Sequence, residues 1–364
     1  MAIIMEQIPA SIRKPGKYAE FNFKLAVRTL PTNAQNVLMI APQASVGMTA
    51  TPYIPTWVFD GDSALAYFGA SPAYEMAVAA MKANPYIRLS VMGIPATGGD
   101  YATALSKVFG GDYQVFAIAS NTQVDLTTLR NHLDSISHPL EQRGAIAASA
   151  FTGTVAAGTT LTAALNSGRI SIAWHKNGTD AVHKITAAYA AVIAGEEDPA
   201  RPLNTLWLAG ITSNTVVDRP GRIEQEVALA NGLTPLEVGP GDKVQIVRAI
   251  STYTKSATGT TDISQLDITT IRTLDFVRKA VIDRINLRFP RDKKTKRVKA
   301  ALRGEILDVL YKLEELEIVE NVDLFKNQLL VEENLQDPNR FDVVIPVDIV
   351  NGLHVVAARI DLYL

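Results

Sequence analysis

The sequence contains no cysteine, which excludes disulfide bonds and thiolate chemistry. An excess of one charge is also absent, because 35 lysines and arginines stand against 37 aspartates and glutamates. That balance predicts no overall attraction to nucleic acid or to an anionic membrane. No apolar run approaches the ~20 residues of a membrane-spanning helix, and the segment from Met1 to Ile12 lacks the features of a signal peptide. We therefore expect a soluble, non-secreted protein that does not insert into membranes.

The usual sequence marks of an enzyme are missing as well. No GK[ST] phosphate loop, GxGxxG frame or GxSxG elbow occurs. The histidines have neither the HExxH spacing nor a nearby carboxylate cluster, so we predict no metal ligands, no cofactor and no catalytic residues. An α/β hydrolase or a nucleotide-binding enzyme stays open as an alternative, and it would need a convergent polar pocket at the ends of the strands.

What the sequence does contain is a regular alternation of short apolar runs and helix-like segments from about residue 34 to 210. Apolar residues make up 47% of the chain, enough for a sizeable core. Strands are predicted at 36–41, 87–93, 113–119, 144–149 and 169–174. Helices are predicted at 72–83, 101–109, 126–136, 159–165 and 181–194. Nearly continuous apolar strands separated by helices are typical of a largely parallel sheet covered on both faces, so we predict a doubly wound α/β domain.

The rhythm changes after about residue 215. A strand is predicted at 243–254, followed by one amphipathic helix through Ile271 and Ile285 and a second through Leu302 and Leu316. Further strands are predicted at 327–332, 341–347 and 353–364, with a turn at Asn351 and Gly352 between the last two. We therefore divide the chain into an arm at 1–30, an α/β domain at 31–214, an α+β domain at 215–348 and a C-terminal arm at 349–364.

Both ends of the sequence carry a strand pattern. Near the C-terminus apolar residues occupy every second position, which indicates a strand with one buried face; they are Val356, Ala358, Ile360, Leu362 and Leu364. Near the N-terminus the alternating residues are Phe21, Phe23, Leu25 and Val27. Each segment could be an ordinary strand of its own chain or a strand given to a neighbouring subunit.

One strongly basic run interrupts the balanced charge. It consists of Arg288, Arg291, Lys293, Lys294, Lys296, Arg297, Lys299 and Arg303, with Asp292 as its single acid. Three interpretations are open: a solvated loop, a nucleic-acid patch that would rely on phosphate attraction alone because aromatic residues for base stacking are absent, or a docking surface for an acidic protein partner.

Several segments, mostly of the second half, resemble the tail sheath proteins of contractile-tailed bacteriophages, in particular the Mu-like type. They are DPARPLNTLWLAGI (198–211), DKVQIVRAISTYT (242–254), LDITTIRTLDFVR (266–278), RFPRDK (288–293) and the stretch from 303 to 364. The α/β half is similar more loosely, through its order of elements. In that family the α/β domain is described as subtilisin-like, which names a fold and not a protease.

The resemblance implies a structural subunit that polymerises as stacked hexameric rings around a tail tube. Its terminal arms would lend strands to neighbouring subunits, and contraction by rigid-body rearrangement would drive the tube through the host envelope without consuming a nucleotide. The implied partners are other copies, the tail tube protein, and baseplate and tail terminator proteins, with no nucleic acid. The implied location is the virion tail, after synthesis and assembly in the host cytoplasm. The sheath of a tailocin or of another non-phage contractile injection system is the nearest alternative.

Carried onto this sequence, the resemblance assigns the C-terminal arm to 349–364 and the N-terminal arm to the segment from Tyr18 to Val27. The basic run occupies the position expected to face the tube, so the docking candidates are Arg291, Lys293, Lys294, Lys296, Arg297 and Lys299. One departure stands out: Mu-like sheaths carry a Gly/Thr-rich β domain after the segment that corresponds to 87–95, whereas this chain continues directly into the helix predicted at 101–109. We therefore expect a compact subunit without that outer domain.

Overall fold

The computed structural model describes residues 35–362, together with Leu30 and Asn33. The strands are β1 (Asn36–Pro42), β2 (Pro55–Val58), β3 (Arg88–Ile94), β4 (Val115–Ile118), β5 (Ile146–Phe151), β6 (Ile170–Trp174), β7 (Thr234–Gly239), β8 (Lys243–Ile246), β9 (Val319–Glu320), β10 (Leu330–Glu333), β11 (Phe341–Val344) and β12 (Asp348–Ile349). The helices are α1 (Gly61–Phe68), α2 (Pro72–Ala83), α3 (Tyr101–Lys107), α4 (Gln123–Ile136), α5 (Val155–Leu165), α6 (Val182–Gly195), α7 (Arg222–Ala230), α8 (Ile268–Arg288), α9 (Lys296–Glu315) and α10 (Val322–Phe325).

Eight of the strands form one sheet in the order β2-β3-β1-β4-β5-β6-β7-β8. The inner pairs are parallel, and only the edge strands β2 and β8 run antiparallel to their neighbours. Val37 of β1 lies opposite Leu89 of β3 on one side and Val115 of β4 on the other. The predicted α/β class with a largely parallel sheet is confirmed.

Helices cover both faces of this sheet, which explains the apolar character of its strands. On β1 the side chains alternate between the two faces: Val37 and Met39 pack with α1, α2 and α6, whereas Leu38 and Ile40 pack with α3, α4, α5 and α7. Because each inner strand is buried on both sides, apolar residues predominate along it, and the buried polar residues of β3, β5 and β6 are the small serines Ser90, Ser149 and Ser171.

The helices begin where the sequence supplies caps. Ser71 precedes Pro72 at the start of α2 and accepts a hydrogen bond from the backbone N–H of Tyr74. Asp100 accepts from the backbone N–H groups of Ala102 and Thr103 at the start of α3. Such caps satisfy amides that have no partner within the helix. The β3–α3 connection spans only residues 95–100, so the chain continues directly from β3 into α3 without an inserted domain.

The sheet extends further along the chain than the sequence predicted. β7 and β8 belong to it although both lie after residue 214, where we placed the end of the α/β domain. The predicted strand at 243–254 ends at Ile246, because the backbone beyond it turns away and the N–H of Thr252 donates to the carbonyl of Ile170 instead. The division into domains stays a prediction.

After the sheet, α8 and α9 are followed by two small antiparallel ladders, β10–β11 and β9–β12. The hairpin predicted around Asn351 and Gly352 is wrong. β12 pairs with β9, and the N–H of Val350 donates to the carbonyl of Ile318. Asp348 lies opposite Glu320 and Ile349 opposite Val319, which are 28 and 30 residues earlier in the chain, and no local sequence pattern reports such a pairing.

Helix α8 is fixed to the amino ends of the sheet strands by charged side chains. Arg169, just before β6, forms a bidentate ion pair with Asp275 of α8 at 2.6 and 3.2 Å. Arg278 approaches the same carboxylate at 2.7 Å and also donates to the carbonyl of Ser137. The Asp275 side chain is 15% exposed, so this pairing is shielded from solvent and orients α8 on the sheet.

His132 of α4 is a buried titratable group in the α/β core. Its ring lies edge-on to those of Phe109 and Phe116, at centroid distances of 6.1 and 5.4 Å. Burial lowers the pKa of His132 to about 4, because the apolar surroundings disfavour the charged imidazolium.

We predict that His132 makes the fold less stable in mild acid. The folded protein holds this group neutral down to a pKa of about 4, while the unfolded chain takes up the proton near 6.5. Its contribution is therefore complete above pH 6.5 and is lost as the pH falls towards 4, on the order of 3 kcal/mol in all. The free energy of unfolding, measured with urea at several pH values, should fall by that much less between pH 6.5 and 4 in the His132→Leu variant than in the parent protein. An unchanged slope between pH 6.5 and 4.5 would contradict the prediction.

Candidate assembly site

The C-terminal tail leaves the body of the protein at His354. Asn204 donates from Nδ2 to Nδ1 of His354 at 3.0 Å, and Nε2 lies 3.5 Å from a carboxylate oxygen of Asp267. Asp267 is itself held by Arg248 through two hydrogen bonds of 2.8 and 2.7 Å. Burial and the nearby charge of Arg248 lower the pKa of His354. Nothing in the sequence pattern singles out this anchor, because its members are far apart in the chain.

Beyond this anchor the tail is exposed on both faces. Val356 is 78% exposed, Ile360 95% and Leu362 82%, and Ala358 between them is exposed as well. Residues 350–362 form no strand within the chain, so the strand predicted at 353–364 is not made with any described partner of its own chain. Leu364 lies outside the described residues, as do Tyr18, Phe21, Phe23, Leu25 and Val27 of the predicted N-terminal arm.

The β10–β11 ladder is a two-stranded sheet near the surface. Its four residue pairs run from Leu330 opposite Val344 to Glu333 opposite Phe341. Within residues 35–362, each of its two strands pairs only with the other, so both outer edges carry unpaired backbone groups. Leu330 and Val344 are largely exposed. An exposed ladder edge is a template for a further strand.

The basic run is divided by the structure into internal and exposed members. Arg288 pairs with Glu305 at 3.4 Å, and Arg303 donates to two backbone carbonyls. Lys294 lies 3.5 Å from Glu333 and 5.3 Å from the ring centre of Phe341, so it ties the loop to the β10–β11 ladder. The exposed members are Arg291, Lys293, Lys296 and Arg297, and Lys299 is half-buried. Of the six docking candidates, Lys294 is thus already engaged within the chain.

The loop between α8 and α9, residues 289–295, is here called the basic loop, and a groove of about 1100 Å³ separates it from the β10–β11 ladder. Apolar side chains including Phe289, Leu302 and Leu335 form part of its wall, while Lys293 and Lys296 stand on its margin. Cationic and apolar groups thus line one surface beside an open ladder edge. This combination suits a protein segment better than a small polar ligand.

Helices α8 and α9 present this surface, and they are joined by a buried charge network. Arg284 of α8 is 3% exposed and lies 3.2 Å from Glu305 and 2.7 Å from Asp308, both on α9. Lys312 approaches Asp308 one turn further along α9. The position of the basic loop between the two helices therefore depends on Arg284.

A doubly wound sheet binds ligands at the carboxyl ends of its strands, and at β6 this end is occupied by the protein's own groups. At the carboxyl end of β6, the indole N–H of Trp174 donates to the carbonyl of Gly153, and Nε2 of His175 lies 2.9 Å from the carbonyl oxygen of Thr212. A cavity of about 350 Å³ lies instead beside α8, at the amino ends of the strands. Among the described residues, no group of three or more His, Asp or Glu could hold a metal ion. No helix there has the length and apolar character needed to cross a membrane.

Two family models match the sequence. Residues 95–252 match the central domain of phage tail sheath proteins, and residues 260–362 match the phage tail sheath C-terminal domain. The two matches follow each other in the order of the chain and cover most of it from residue 95 onward. The second one contains the basic loop, the small ladders and the C-terminal tail.

A Mu-like prophage tail sheath protein of Haemophilus influenzae is 30% identical over 283 residues, which cover 74% of this chain and 58% of that protein. The chain therefore spans little more than half the length of that relative. A crystal structure of a sheath tail protein from Desulfitobacterium hafniense is similar with a TM-score of 0.61 and 13% identity, over 87% of this chain and 93% of the other. The contracted PVC sheath of an extracellular contractile injection system is similar with a TM-score of 0.67 and 12% identity, over 97% and 98%.

We predict that Arg284→Ala destabilises the α8–α9 pair by ~3–5 kcal/mol, because Glu305 and Asp308 would lose the cation between them in a shielded site. Urea unfolding followed by circular dichroism measures the change. The matched control is Arg340→Ala, which removes the exposed partner of Asp342 and should have a far smaller effect. Equal losses for the two variants would contradict a structural role for Arg284.

Proposed function

This chain belongs to the family of phage tail sheath proteins, and we propose that it is the structural subunit of a contractile sheath that polymerises around a tail tube. The matched families and the H. influenzae relative are structural tail sheath proteins rather than enzymes. The observation that carries the proposal is the C-terminal tail. Its apolar side chains at every second position from Val356 to Leu362 are not buried by the part of the chain that the structure describes.

The tail has the properties of a strand made for another subunit. Exposed apolar side chains are unfavourable in water, and pairing with a second sheet would bury them at about 25 cal/mol per Å². Ladder hydrogen bonds would at the same time satisfy the backbone groups of residues 355–362. The root of the tail at His354 is fixed, so the strand can be offered in a defined direction.

We place the receiving edge at the β10–β11 ladder. A two-stranded sheet of four residue pairs is marginal by itself, and it gains stability from a third strand. The groove beside it has apolar walls that could accept alternate side chains of an added strand. The N-terminal arm from Tyr18 to Val27 would be a second donor, and repeated donation from copy to copy would give stacked hexameric rings.

Contraction then needs a subunit that moves without unfolding. The shielded contacts of Asp275 with Arg169 and Arg278 support a sheet and an α8–α9 pair that move as one body. The donated strands would stay paired during this motion and act as the flexible links between bodies. No step of this mechanism calls for a nucleotide or another cofactor.

The cations of the α8–α9 loop and of the first turn of α9, apart from Lys294, are the proposed contact with the tail tube protein. Arg291, Lys293, Lys296, Arg297 and Lys299 would face acidic groups of the tube. Lys294 is assigned instead to holding the β10–β11 ladder, because Glu333 and Phe341 already engage it. Contacts between exposed charges are weak and screened by salt, so they can separate when the sheath expands away from the tube.

The remaining partners and the location follow from the same role. Sheath ends would contact baseplate and tail terminator proteins, and the assembled polymer would form part of the virion tail after synthesis in the host cytoplasm. A non-phage contractile injection system is a second candidate setting, because the fold is shared with the PVC sheath over nearly the whole chain. The more similar sequence, at 30% identity, is that of a prophage tail protein, which favours the phage setting.

We expect removal of residues 355–364 to abolish polymerisation and to leave a folded, soluble subunit. Replacing Val356, Ile360 and Leu362 by serine should have the same effect with the chain length intact, because the buried apolar area of the donated strand is lost. Sedimentation and negative-stain microscopy measure the polymers. The matched control replaces three exposed apolar residues elsewhere, Val124, Leu140 and Ile263, by serine. Normal tubes from the tail variants would refute strand donation.

The tube contact is tested by reversing its charge. Lys293→Glu, Lys296→Glu and Arg297→Glu together should spare self-assembly but weaken co-assembly with tube protein by about tenfold or more, since three exposed attractions become repulsions. The control reverses three exposed lysines away from this surface: Lys107, Lys255 and Lys279. Pull-down of purified tube protein at low and high salt is the measurement. Equal tube binding by both triple variants would reject the docking role.

A further inference from the structure

The C-terminal tail changes its surroundings at His354. Before this residue the chain is held by the body of the protein, since β12 pairs with β9. His354 is the last residue of the described tail that is not exposed, and its side chain is 16% exposed. Val355, which follows it, is 80% exposed. The direction in which the tail leaves the protein is therefore set at His354.

Asn204, which donates to the ring of His354, is fixed at the edge of the large sheet. The residues after it run along β8, where the backbone of Ile246 accepts from the N–H of Thr205 at 2.7 Å and donates to the carbonyl of Leu206 at 3.1 Å. Thr205 has a φ of 61°, in the left-handed region that β-branched residues rarely adopt. Such a conformation persists only where the surrounding structure determines it. The amide of Asn204 is thus presented from a rigid position.

The other nitrogen of the ring faces a carboxylate that is already paired. Asp267 directly precedes α8 and accepts two hydrogen bonds from Arg248. Because Nδ1 of His354 accepts from Asn204, the neutral ring carries its hydrogen on Nε2, which lies 3.5 Å from a carboxylate oxygen of Asp267. Among the described residues, the charged groups that face the ring are Asp267, which attracts a proton, and Arg248, which repels one. The hydrogen bonds of this anchor fit the neutral imidazole.

The backbone just before the ring is packed too closely to carry a side chain. A Cβ atom on Gly352 would lie 2.6 Å from Cγ of Pro202 and 3.0 Å from Nε2 of His354. Any other residue at this position would push the chain or the ring aside. The tail therefore follows one closely packed path up to the ring, and this path depends on the ring staying in place.

A second proton on the ring does not fit this arrangement. An imidazolium carries hydrogens on both nitrogens, so Nδ1 could no longer accept from Asn204. Turning the amide over would present its Oδ1 instead, but would leave its NH₂ group in a buried position where the described chain offers no partner. Burial and the charge of Arg248 also disfavour the imidazolium and lower the pKa of His354. A ring that leaves the anchor meets water, where it takes up a proton near pH 6.5.

We propose that His354 is a positioning residue for strand donation: the anchored, neutral ring fixes the direction of the tail, and protonation of the ring releases it. This inference rests on the proposed sheath function and adds a control by pH at the root of the donated strand. Because release takes up one proton, the ratio of anchored to released rings falls by at most about tenfold for each pH unit below 6.5. A released tail must be ordered again before it can pair, so polymerisation needs a higher concentration of subunits.

A spin label on the root of the tail measures the anchor directly. The sequence has no cysteine, so Leu353→Cys, at a position that is 76% exposed beside His354, gives a single labelling site. The full chain also carries Val356→Ser, Ile360→Ser and Leu362→Ser, so that the label is observed in single subunits. We expect a slow-motion spectrum at pH 7.5 and a mobile one at pH 5.5, with an anchored fraction that falls as the ring is protonated.

Three variants separate the anchor from other effects of acid. His354→Ala should leave the label mobile at both pH values. His354→Asn offers an acceptor oxygen in place of Nδ1 but takes up no proton, so the label should stay ordered at both. Asn204→Asp can accept from the protonated ring and should keep the label ordered in acid. The matched control is His138→Ala, which removes an exposed histidine outside the anchor and should titrate as the parent does.

Polymerisation is then compared with the apolar tail intact. At pH 7.5, His354→Ala should raise the subunit concentration needed for polymers about fivefold, as expected for a lost hydrogen bond, and His354→Asn should return it towards the parent's value. Sedimentation measures this concentration. A label equally mobile in the parent and in His354→Ala, or an unchanged concentration in His354→Ala, would overturn the inference and leave the sheath function standing. A parent that forms no polymer at all would count against the sheath function itself and remove the inference with it.

Discussion

Asp275 lies between Arg169 and Arg278, and this shielded arrangement orients α8, on which the elements after the sheet depend. Because α8 is fixed to the amino ends of the strands, α9 follows it through the Arg284 network, and the basic loop and β10–β11 ladder follow α9. Charged contacts of this kind contribute less to net stability than apolar burial does, yet they fix geometry well. The surfaces proposed for assembly thus have defined positions relative to the sheet.

The inner strands of the sheet are buried and paired, whereas several outer segments are exposed and unpaired. The inner strands are buried on both faces, and their backbone groups are paired within the sheet. The tail beyond His354, the β10–β11 ladder and the outer edge of β2 have no such partners among the described residues. An isolated subunit that leaves apolar groups and strand edges in water gains free energy when copies cover them. A subunit of a polymer has this distribution, whereas an enzyme concentrates its unusual features in one pocket.

The sequence patterns predicted those helices and strands that are specified by residues within the element itself. Helix α2 was placed with its observed bounds, since Pro72 and an apolar face define it. β2 and β7 were missed because each is short and contains a proline, a residue that argues against a strand. The candidate site likewise has features that the sequence reveals and features that only the fold reveals. The tail and the basic run are visible as patterns, but the engagement of Lys294 by Glu333 and Phe341 depends on tertiary contacts that no spacing reveals.

Contraction requires contacts between sheath subunits that are stronger than their contacts with the tube, and the two proposed kinds of contact differ in this way. A donated tail would bury several side chains such as Val356, Ile360 and Leu362, each worth about 1.5–3 kcal/mol when fully covered. An exposed ion pair at the tube contributes about 0–1 kcal/mol and weakens with salt. A sheath built this way releases its tube before it loses its own links. Were the strengths reversed, contraction would break the polymer and leave the tube bound, so the division between apolar tail and charged loop is itself an argument for their separate roles.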